Sequence, residues 1–255
     1  MPITKKLLEK QGIPVKNVGQ CTNFGGLDIV GRKLYTIKTK KTNDVSAISV
    51  YPDYEKTKRT SYRFRNCLNH GNDLAYYDGE LYVAPCDCFC GIVDTKTWDF
   101  RRIEAPLQIS GITHYKNKKF IVMSEAWGDS YRLSIVKALV NQFLVLDSWR
   151  VGNPMASKGY TTSQAITYNP DQKEIYAVFT NVDGRSNVIL RSGVRATEPD
   201  YCLTSKRSTG GLYELEGIAF DHKGIMILGS NLPSGKDSIF TSEVFKYPSV
   251  SMAAV

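Results

Sequence analysis

Polar residues recur at two fixed distances from five apolar anchor residues in this sequence. The anchors are Leu27, Leu74, Ile112, Ile166 and Ile218. Two residues before them stand small or polar residues: Gly25, Asn72, Ser110, Gln164 and Glu216. Thirteen residues after them, or fifteen in the fourth copy, stand polar residues again: Lys40, Asp87, Glu125, Asn181 and Asn231. Carboxylates, amides and a lysine are groups that hold a small polar ligand or a cation when a fold brings them together.

Each anchor lies in a segment with the pattern of a β-hairpin. In the clearest copy, residues 69–84, a polar start leads into a short strand, an Asp-Gly turn at Asp78 and Gly79, and a second strand. Asp-Gly between alternating apolar residues is a strong hairpin signal. Successive anchors are 47, 38, 54 and 52 residues apart. Repeats of about 40 to 50 residues that hold several short strands are typical of propeller blades.

We therefore predict an all-β, single-domain protein: a five-bladed β-propeller over residues 1–255, with its ring closed by an N-terminal strand. Residues 1–20 are expected to hold a short helix at 5–11 and the closing strand at 14–18, which completes the last blade. The predicted blades cover about residues 21–66, 67–106, 107–154, 155–203 and 204–249. Aromatic residues at matching second-strand positions are expected to pack between blades: Tyr35, Tyr82, Phe120 and Tyr176.

A propeller would bring the two sets of polar residues together. The innermost strand of every blade starts on one face of the disc, and the second strand returns to that face, so both sets meet around one funnel. The residues predicted to bind a ligand there are Asn72, Asp73, Gln164, Glu216 and Lys40. The alternative is a channel that is simply wet, with its polar groups satisfied by water and neighbouring amides.

A divalent cation is one chemistry that the funnel suits. Glu216, Asn72, Asn181 and Asn231 offer the oxygen ligands that calcium or another divalent cation prefers. Such a cation would polarise an ester carbonyl or acidify a bound water, with His70 at the rim as the base.

Carboxylates alone offer a second chemistry. Asp87, Glu125 and Glu216 could divide the roles of a glycosidase, which needs paired carboxyl groups at a defined separation. The candidate catalytic residues are thus His70, Glu125 and Asp87, and spacing alone does not choose between the two chemistries.

Two inner-strand motifs carry a family resemblance. Asn72-Asp73-Leu74 followed by Tyr82, and Glu216-Gly217-Ile218 before a short hairpin, resemble motifs of the calcium-dependent lactonase and arylesterase propellers of the SMP-30 and paraoxonase kind. The resemblance implies a divalent metal held in the central channel by Glu, Asn and Asp. Those proteins have six blades, whereas five repeats are counted here.

Six cysteines include the cluster Cys86-Asp87-Cys88-Phe89-Cys90. Alternation along a strand would place its three sulfurs on one side. Reduced thiols, one or more disulfides, and a metal or redox site with Cys21, Cys67 or Cys202 are all left open, because the spacing is not a standard zinc spacing.

Composition and charge limit the kinds of partner and the cellular location that we expect. The net charge of +8 suggests an acidic partner, but the basic residues are scattered and no nucleic-acid module is recognised, so nucleic acid is an improbable ligand. Apolar runs are too short for a membrane span, and the N-terminus lacks the apolar core of a signal peptide. We therefore expect a cytoplasmic protein.

Three functions fit these observations, and whether the protein is an enzyme stays open. The leading hypothesis is a binding module with a polar funnel for a small polar or glycan-like ligand and a rim for protein partners. The second is a divalent-metal-dependent hydrolase of the lactonase or esterase type. The third is a structural or assembly protein without an active site.

Overall fold

The protein is built from β-strands. The structure, a computed structural model, describes residues 3–6, 13–206, 213–232 and 238–242. One short 3-10 helix, Ala156–Lys158, interrupts the strands of this part. The described strands are β1 (Ile3–Lys6), β2 (Ile13–Pro14), β3 (Cys21–Val30), β4 (Lys33–Lys40), β5 (Val45–Tyr51), β6 (Thr60–Arg65), β7 (Asp73–Tyr77), β8 (Glu80–Ala84), β9 (Asp87–Asp94), β10 (Phe100–Ile109), β11 (Gly111–Lys116), β12 (Lys119–Trp127), β13 (Ser130–Ala138), β14 (Phe143–Gly152), β15 (Tyr160–Asn169), β16 (Glu174–Asn181), β17 (Ser186–Gly193), β18 (Tyr201–Lys206), β19 (Glu214–Phe220), β20 (Met226–Asn231) and β21 (Ser238–Ser242).

The described strands form five sheets, each wound from the inside outwards. Four of the sheets take consecutive strands in order: β3 to β6, β7 to β10, β11 to β14 and β15 to β18. The remaining sheet has the order β19-β20-β21-β2, and β1 adds a parallel strand to the edge of β18. All other pairings are antiparallel, because short turns connect neighbouring strands.

The innermost strands surround a common axis. Strand β3 contacts β7, β7 contacts β11, β11 contacts β15, β15 contacts β19, and β19 contacts β3. Sheets that radiate from such a ring form a β-propeller, as the repeated hairpins predict. Among the described residues, no helix has the length and apolar character needed to cross a membrane.

The Asp-Gly hairpin is confirmed. Tyr77 pairs with Glu80, and the two residues between them, Asp78 and Gly79, have φ angles of 50° and 85°. Positive φ at both central residues is the two-residue turn that matches the twist of antiparallel strands, and Asp and Gly are the residues that tolerate it best.

The core lies between neighbouring sheets. The aromatic residues predicted to pack there are buried: Tyr35, Tyr82, Phe120 and Tyr176 have exposures of 3% or less. Tyr82 and Phe120, from adjacent sheets, have ring centroids 4.2 Å apart. Each such side chain contributes roughly 2 to 3 kcal/mol by leaving water, so radial packing of the sheets is the main source of stability.

A buried aspartate ties three inner strands together at the axis. Oδ2 of Asp73 accepts hydrogen bonds from the main-chain N–H groups of Ile112 (3.0 Å) and Ile166 (3.1 Å), and Oδ1 accepts one from Leu74. Beside it, Nδ2 of Asn72 donates to the main-chain oxygens of Ser110 and Gln164, both at 2.6 Å. Burial raises the pKa of Asp73 well above its ordinary value.

The N-terminal segment differs from the prediction. Lys5 and Lys6, expected to begin a helix, lie in β1 and pair with Leu203 and Thr204 of β18. A helix of seven residues is marginal in water, whereas the edge of β18 offers unpaired main-chain groups. The rest of the expected helix lies outside the described residues.

Of the strand predicted at 14–18 to close the ring, only Pro14 lies in a strand. Only Ile13–Pro14 forms a strand, and it pairs with Ile239 and Ser238 of β21. After it the chain leaves the sheet, because the buried Lys38 draws it inward: Nζ of Lys38 donates to the main-chain oxygen of Val15 at 2.8 Å and to Oδ1 of Asn17 at 3.0 Å. The last predicted blade extends beyond residue 242, outside the described residues.

We expect Asp73→Ala to lower the free energy of unfolding by about 2 to 4 kcal/mol, because two buried N–H groups on other strands lose their acceptor. Urea unfolding monitored by tryptophan fluorescence measures the change. Asp99→Ala, at an exposed turn, is the matched control and should change stability by less than about 0.5 kcal/mol. Equal effects of the two substitutions would contradict the axial role of Asp73.

Candidate functional site

A cavity of about 310 Å³ opens at the mouth where the innermost strands begin. Its wall includes the residues two positions before the anchors, which we call the deep ring: Asn72, Ser110, Gln164 and Glu216. In the first sheet the residue two positions before the anchor is Gly25. A Cβ atom on Gly25 would lie only 1.9 Å from the main-chain oxygen of Gly71. Close approach of the inner strands therefore requires glycine at this position.

A second ring lies nearer the opening. This mouth ring consists of the residues four positions before the anchors: Asn23, His70, Gln108, Thr162 and Glu214. The residues of both rings line the same cavity. Register shifts at Phe24/Gly26, Ser163/Ala165 and Leu215/Gly217 bend three of the inner strands beside the cavity.

A carboxyl pair is the main chemical feature of the cavity. The side chains of Glu214 and Glu216 are hydrogen-bonded to each other, and Nδ2 of Asn231 donates to Oε2 of Glu214 at 3.2 Å. Burial raises the pKa of Glu214, because the charged form is poorly solvated there. Hydrogen bonds from the side chains of Asn231 and Glu216 offset part of this rise, so the two carboxyl groups contact each other at the wall of the cavity.

A buried relay of polar side chains positions this pair. Asn187 is hydrogen-bonded to the main chain on both sides of Glu214. Its Nδ2 donates to the main-chain oxygen of Tyr213 at 3.0 Å, and its Oδ1 accepts from the N–H of Leu215 at 3.0 Å. Thr180 donates to Oδ1 of Asn187 at 2.7 Å and accepts from Nε2 of Gln164 at 3.2 Å. The deep ring is thereby connected to the backbone that carries the carboxyl pair.

His70 lies at the opening, as predicted. Its Nδ1 is 3.2 Å from Oδ1 of Asn43. Burial lowers the pKa of His70 below its ordinary value of 6.5, which makes the imidazole neutral at pH 7. The cavity that contains the carboxyl pair is therefore also lined by a neutral imidazole.

Glu125 also lines the cavity, but it is an exposed, ion-paired carboxylate. It contacts Arg150, and its Oε2 is 3.2 Å from the guanidinium of Arg132. Its φ of 47° lies in the left-handed region, as does the φ of Cys86 at 57°, and both residues border the cavity. Strained backbone of this kind is concentrated at functional sites.

The structure does not bring the other residues of the predicted second set into the cavity. Lys40 pairs with Asp44 at 3.1 Å, and Asp87 is exposed and accepts from Asn69 at 3.1 Å. Asn181 is held in a turn, where it donates to the main-chain oxygen of Lys158. The second strand of each sheet lies a full strand spacing, about 4.8 Å, farther from the axis, so Lys40 and Asn181 at the ends of β4 and β16 do not reach the cavity. Asp87 lies still farther out, because it begins the third strand, β9, of its sheet.

Asp73 also requires a correction. It was predicted to bind a ligand, but it is completely buried, and both of its oxygens accept main-chain N–H groups. Of the four predicted metal ligands, Glu216 and Asn72 line the cavity, Asn231 contacts Glu214, and Asn181 lies elsewhere. Within the described part of the chain, no three His, Cys, Asp or Glu side chains are arranged to hold a metal ion.

Several residues of the cavity were missed by the sequence prediction. The most important is Glu214, together with Gln108, Asn23 and Thr162 of the mouth ring. The signal was present, because one more two-residue step back from each anchor reaches a polar residue in every repeat. In the last repeat this step leads from Glu216 to Glu214, the second member of the carboxyl pair.

The cysteines are reduced. All six are free: Cys21, Cys67, Cys86, Cys88, Cys90 and Cys202. The three of the cluster do not share one environment, since Cys86 borders the cavity, Cys88 is exposed and Cys90 is buried. Burial and the nearby charges of Glu216, Asp73 and Asp87 raise the pKa of Cys86 to about 12, so its thiol stays protonated and weakly nucleophilic.

Comparison with known proteins supports the fold. No protein-family model and no curated protein matches the chain. Glutaminyl cyclase from Myxococcus xanthus is similar in structure, with a TM-score of 0.66 and 14% sequence identity over 95% of this chain and 97% of that one. This similarity covers nearly all of both chains and agrees with a β-propeller.

Two further structures are similar to a lesser degree. A protein of unknown function from Bacteroides thetaiotaomicron gives a TM-score of 0.48 and 14% identity, over 85% of this chain and 58% of that one. A europium-containing methanol dehydrogenase gives a TM-score of 0.39 and 12% identity, over 91% of this chain and 52% of that one. None of the three is named a lactonase or an arylesterase, so the resemblance to that family stays a prediction.

The raised pKa of Glu214 gives a pH dependence with a defined sign. A carboxyl group that holds its proton more tightly when folded stabilises the protein at low pH, and this contribution is lost as the pH rises above the ordinary pKa of 4.5. We expect the unfolding free energy of the wild type to fall more steeply between pH 5 and 8 than that of Glu214→Gln. Parallel pH profiles in urea unfolding would contradict the assignment.

Proposed function

We propose that the chain is a five-bladed propeller, closed by its N-terminal strand, that binds a small polar ligand carrying an amino group in the funnel. Five described sheets, the ring of contacts among their inner strands, and the pairing of β2 with β21 support the blade count and the closure. The domain is then one ring, with each sheet as one blade.

The observation that carries the ligand class is the contact between Glu214 and Glu216 inside a cavity of about 310 Å³. When both carboxyl groups ionise they repel each other, and a cation placed against them removes that cost. An ammonium group suits the pair, because it donates up to three hydrogen bonds and needs no rigid cage of ligands. The cavity has the volume of a small molecule of amino-acid or dipeptide size.

The remaining walls would orient such a ligand. The amides of Asn72 and Gln164 are fixed by hydrogen bonds to other strands, which makes the deep ring rigid before a ligand enters. Amides and the hydroxyl of Thr162 complement carbonyl and amide groups, which adds selectivity to the charge of the carboxyl pair. The arginines beside Glu125 place positive charge at the opening, where a ligand carboxylate could lie.

We expect a dipeptide with an N-terminal glutamine to raise the melting temperature of the wild type, because binding to the folded state alone stabilises it. The N-acetylated peptide, which has lost its ammonium group, should bind at least about tenfold more weakly. Glu216→Gln should weaken binding of the free peptide by a similar factor. Calorimetric titration measures both.

Controls separate this binding from other readings. Lys40→Gln, at a position outside the cavity, should bind like the wild type. Equal affinity for the free and acetylated peptides would contradict recognition of the amino group. Calcium is the competing occupant: a melting temperature that falls with EDTA and recovers with calcium, but not in Glu216→Gln, would assign the carboxyl pair to a metal instead.

A second candidate function is catalysis on the same ligand. The similarity to a glutaminyl cyclase over 95% of this chain favours it, together with two carboxyl groups in contact inside the cavity. In ring closure of a glutaminyl group, the amine nitrogen attacks the side-chain amide carbon, a carbon–nitrogen bond forms, and the bond to the amide nitrogen breaks. One carboxylate would take the proton of the amine while the other carboxyl gives a proton to the departing ammonia.

We expect, under this second candidate, that the wild type releases ammonia from the glutaminyl dipeptide and that Glu214→Gln and Glu216→Gln each lose roughly a hundredfold or more in rate. A coupled ammonia assay with mass analysis of the cyclised peptide measures it, and Lys40→Gln is again the control. Tight binding without ammonia release would leave the chain a binding module and reject the enzyme.

A further inference from the structure

A second cavity, of about 550 Å³, lies at the opposite mouth of the propeller, where the innermost strands end. It is lined by the ends of β3, β7, β11, β15 and β19 and by the turns that follow them. None of its lining residues belongs to the deep ring or the mouth ring. The two cavities are therefore separate sites at opposite ends of the same strands.

Aromatic side chains surround this second cavity. They stand two or three residues after the anchors: Tyr76, Tyr77, His114, Tyr115, Tyr168 and Phe220. All six are half-buried. The five that are not histidine pack against the hydrophobic clusters between the sheets with one part and leave another part exposed at the cavity. Partly exposed aromatic groups gathered around a cavity are a sign of ligand binding.

The rings keep each other in place. Tyr77 stacks on His114 with ring centroids 4.5 Å apart, and Tyr115 meets Tyr168 edge to face at 5.0 Å. Neighbouring sheets thus support one another's rings, and the aromatic wall is formed before any ligand arrives.

The charge of this cavity is negative. The charged side chains among its described lining residues are four aspartates, Asp28, Asp78, Asp171 and Asp221, and its only basic side chains are His114 and His222. Asp221 is engaged, because it accepts from the hydroxyl of Tyr54 at 2.8 Å and from its own turn. Asp78 and Asp171 lie in exposed turns at the rim.

Asp28 is the deep carboxylate. It accepts main-chain N–H groups from Ile29 at 2.8 Å and from Tyr76 at 2.6 Å, one on each oxygen, which leaves further acceptor positions on both oxygens. Burial raises the pKa of Asp28 to about 6, so it is mostly ionised at pH 7.5. A partly exposed negative charge thus sits among aromatic faces.

We propose that this mouth is a second binding site, specific for a small quaternary ammonium ion. The ion would contact the aromatic side chains that surround the cavity, with its charge toward Asp28. Aromatic faces attract cations electrostatically, and a quaternary ammonium has no N–H groups that would require hydrogen-bond acceptors. A hard metal ion fits less well, because aromatic faces cannot replace the oxygen ligands of its hydration shell.

Choline chloride is the probe that tests this site, by calorimetric titration of the full chain at pH 7.5. The neutral isostere of choline, in which a tert-butyl group replaces the trimethylammonium group, should show no measurable binding. Tyr168→Leu should weaken choline binding by roughly three- to thirtyfold, the range expected for the loss of one cation–π partner. Asp28→Asn should weaken it at least about tenfold.

Glu125→Gln, in the other cavity, is the matched control and should bind choline like the wild type. Equal binding of choline and its isostere, or unchanged binding by Tyr168→Leu, would overturn the proposal. Loss of binding in Glu125→Gln would also overturn it, by placing the cation in the funnel. If Asp28→Asn does not fold, the isostere and Tyr168→Leu still decide the question.

The ammonium group could belong to a free ion or to a lipid headgroup. Phosphatidylcholine vesicles distinguish the two sources: co-sedimentation that Tyr168→Leu abolishes would place the group on a lipid, and titration with choline alone, without co-sedimentation, would identify a free ion. Either result supports recognition of a quaternary ammonium group at this mouth.

Discussion

The whole molecule depends on how closely five inner strands can approach one axis. Main-chain groups of separate sheets are buried where they meet there, so they need hydrogen-bond partners within the protein. Asp73 and Asn72 supply these partners: one accepts N–H groups from two other strands, and the other donates to two carbonyl oxygens. The burial of Asp73, which raises its pKa, is a cost that the hydrogen bonds offset. Glycine at position 25 is part of the same constraint, since any side chain there would collide with the next strand.

This convergence also decides what the two mouths contain. Along each inner strand, the residues before the anchor are polar and those after it are aromatic in most copies. One end of the axis therefore gathers amides and a carboxyl pair, and the other gathers rings around Asp28. Carboxyl groups line both cavities, although the chain as a whole carries a net charge of +8. Local charge, set by a few repeated positions, outweighs the average composition.

Much of the fold could be predicted from the sequence because a propeller repeats. The hairpins, the aromatic packing of Tyr82 and Phe120, and the polar deep ring all follow from the period of the anchors and from strand alternation. The site was predicted less well. The spacing of residues along the chain predicted that Lys40 and Asp87 lie near Asn72. Spacing could not show that the outer strands of each sheet diverge from the axis. Asp73 was misplaced for a related reason, since nothing local reveals which polar side chain hydrogen-bonds to distant main chain.

The pairing of the N-terminal segment has a consequence for how the chain is made. Residues 3–6 pair with β18 and residues 13–14 pair with β21, so this segment joins two sheets whose strands are synthesised roughly 190 to 230 residues later. Until β18 and β21 are synthesised, neither of these pairings can form. The buried amine of Lys38 donates hydrogen bonds to Val15 and Asn17. Because Lys38 lies in β4, this contact can form before β18 and β21 are synthesised. The pairings of residues 3–6 and 13–14 therefore form only after β18 and β21 have been made.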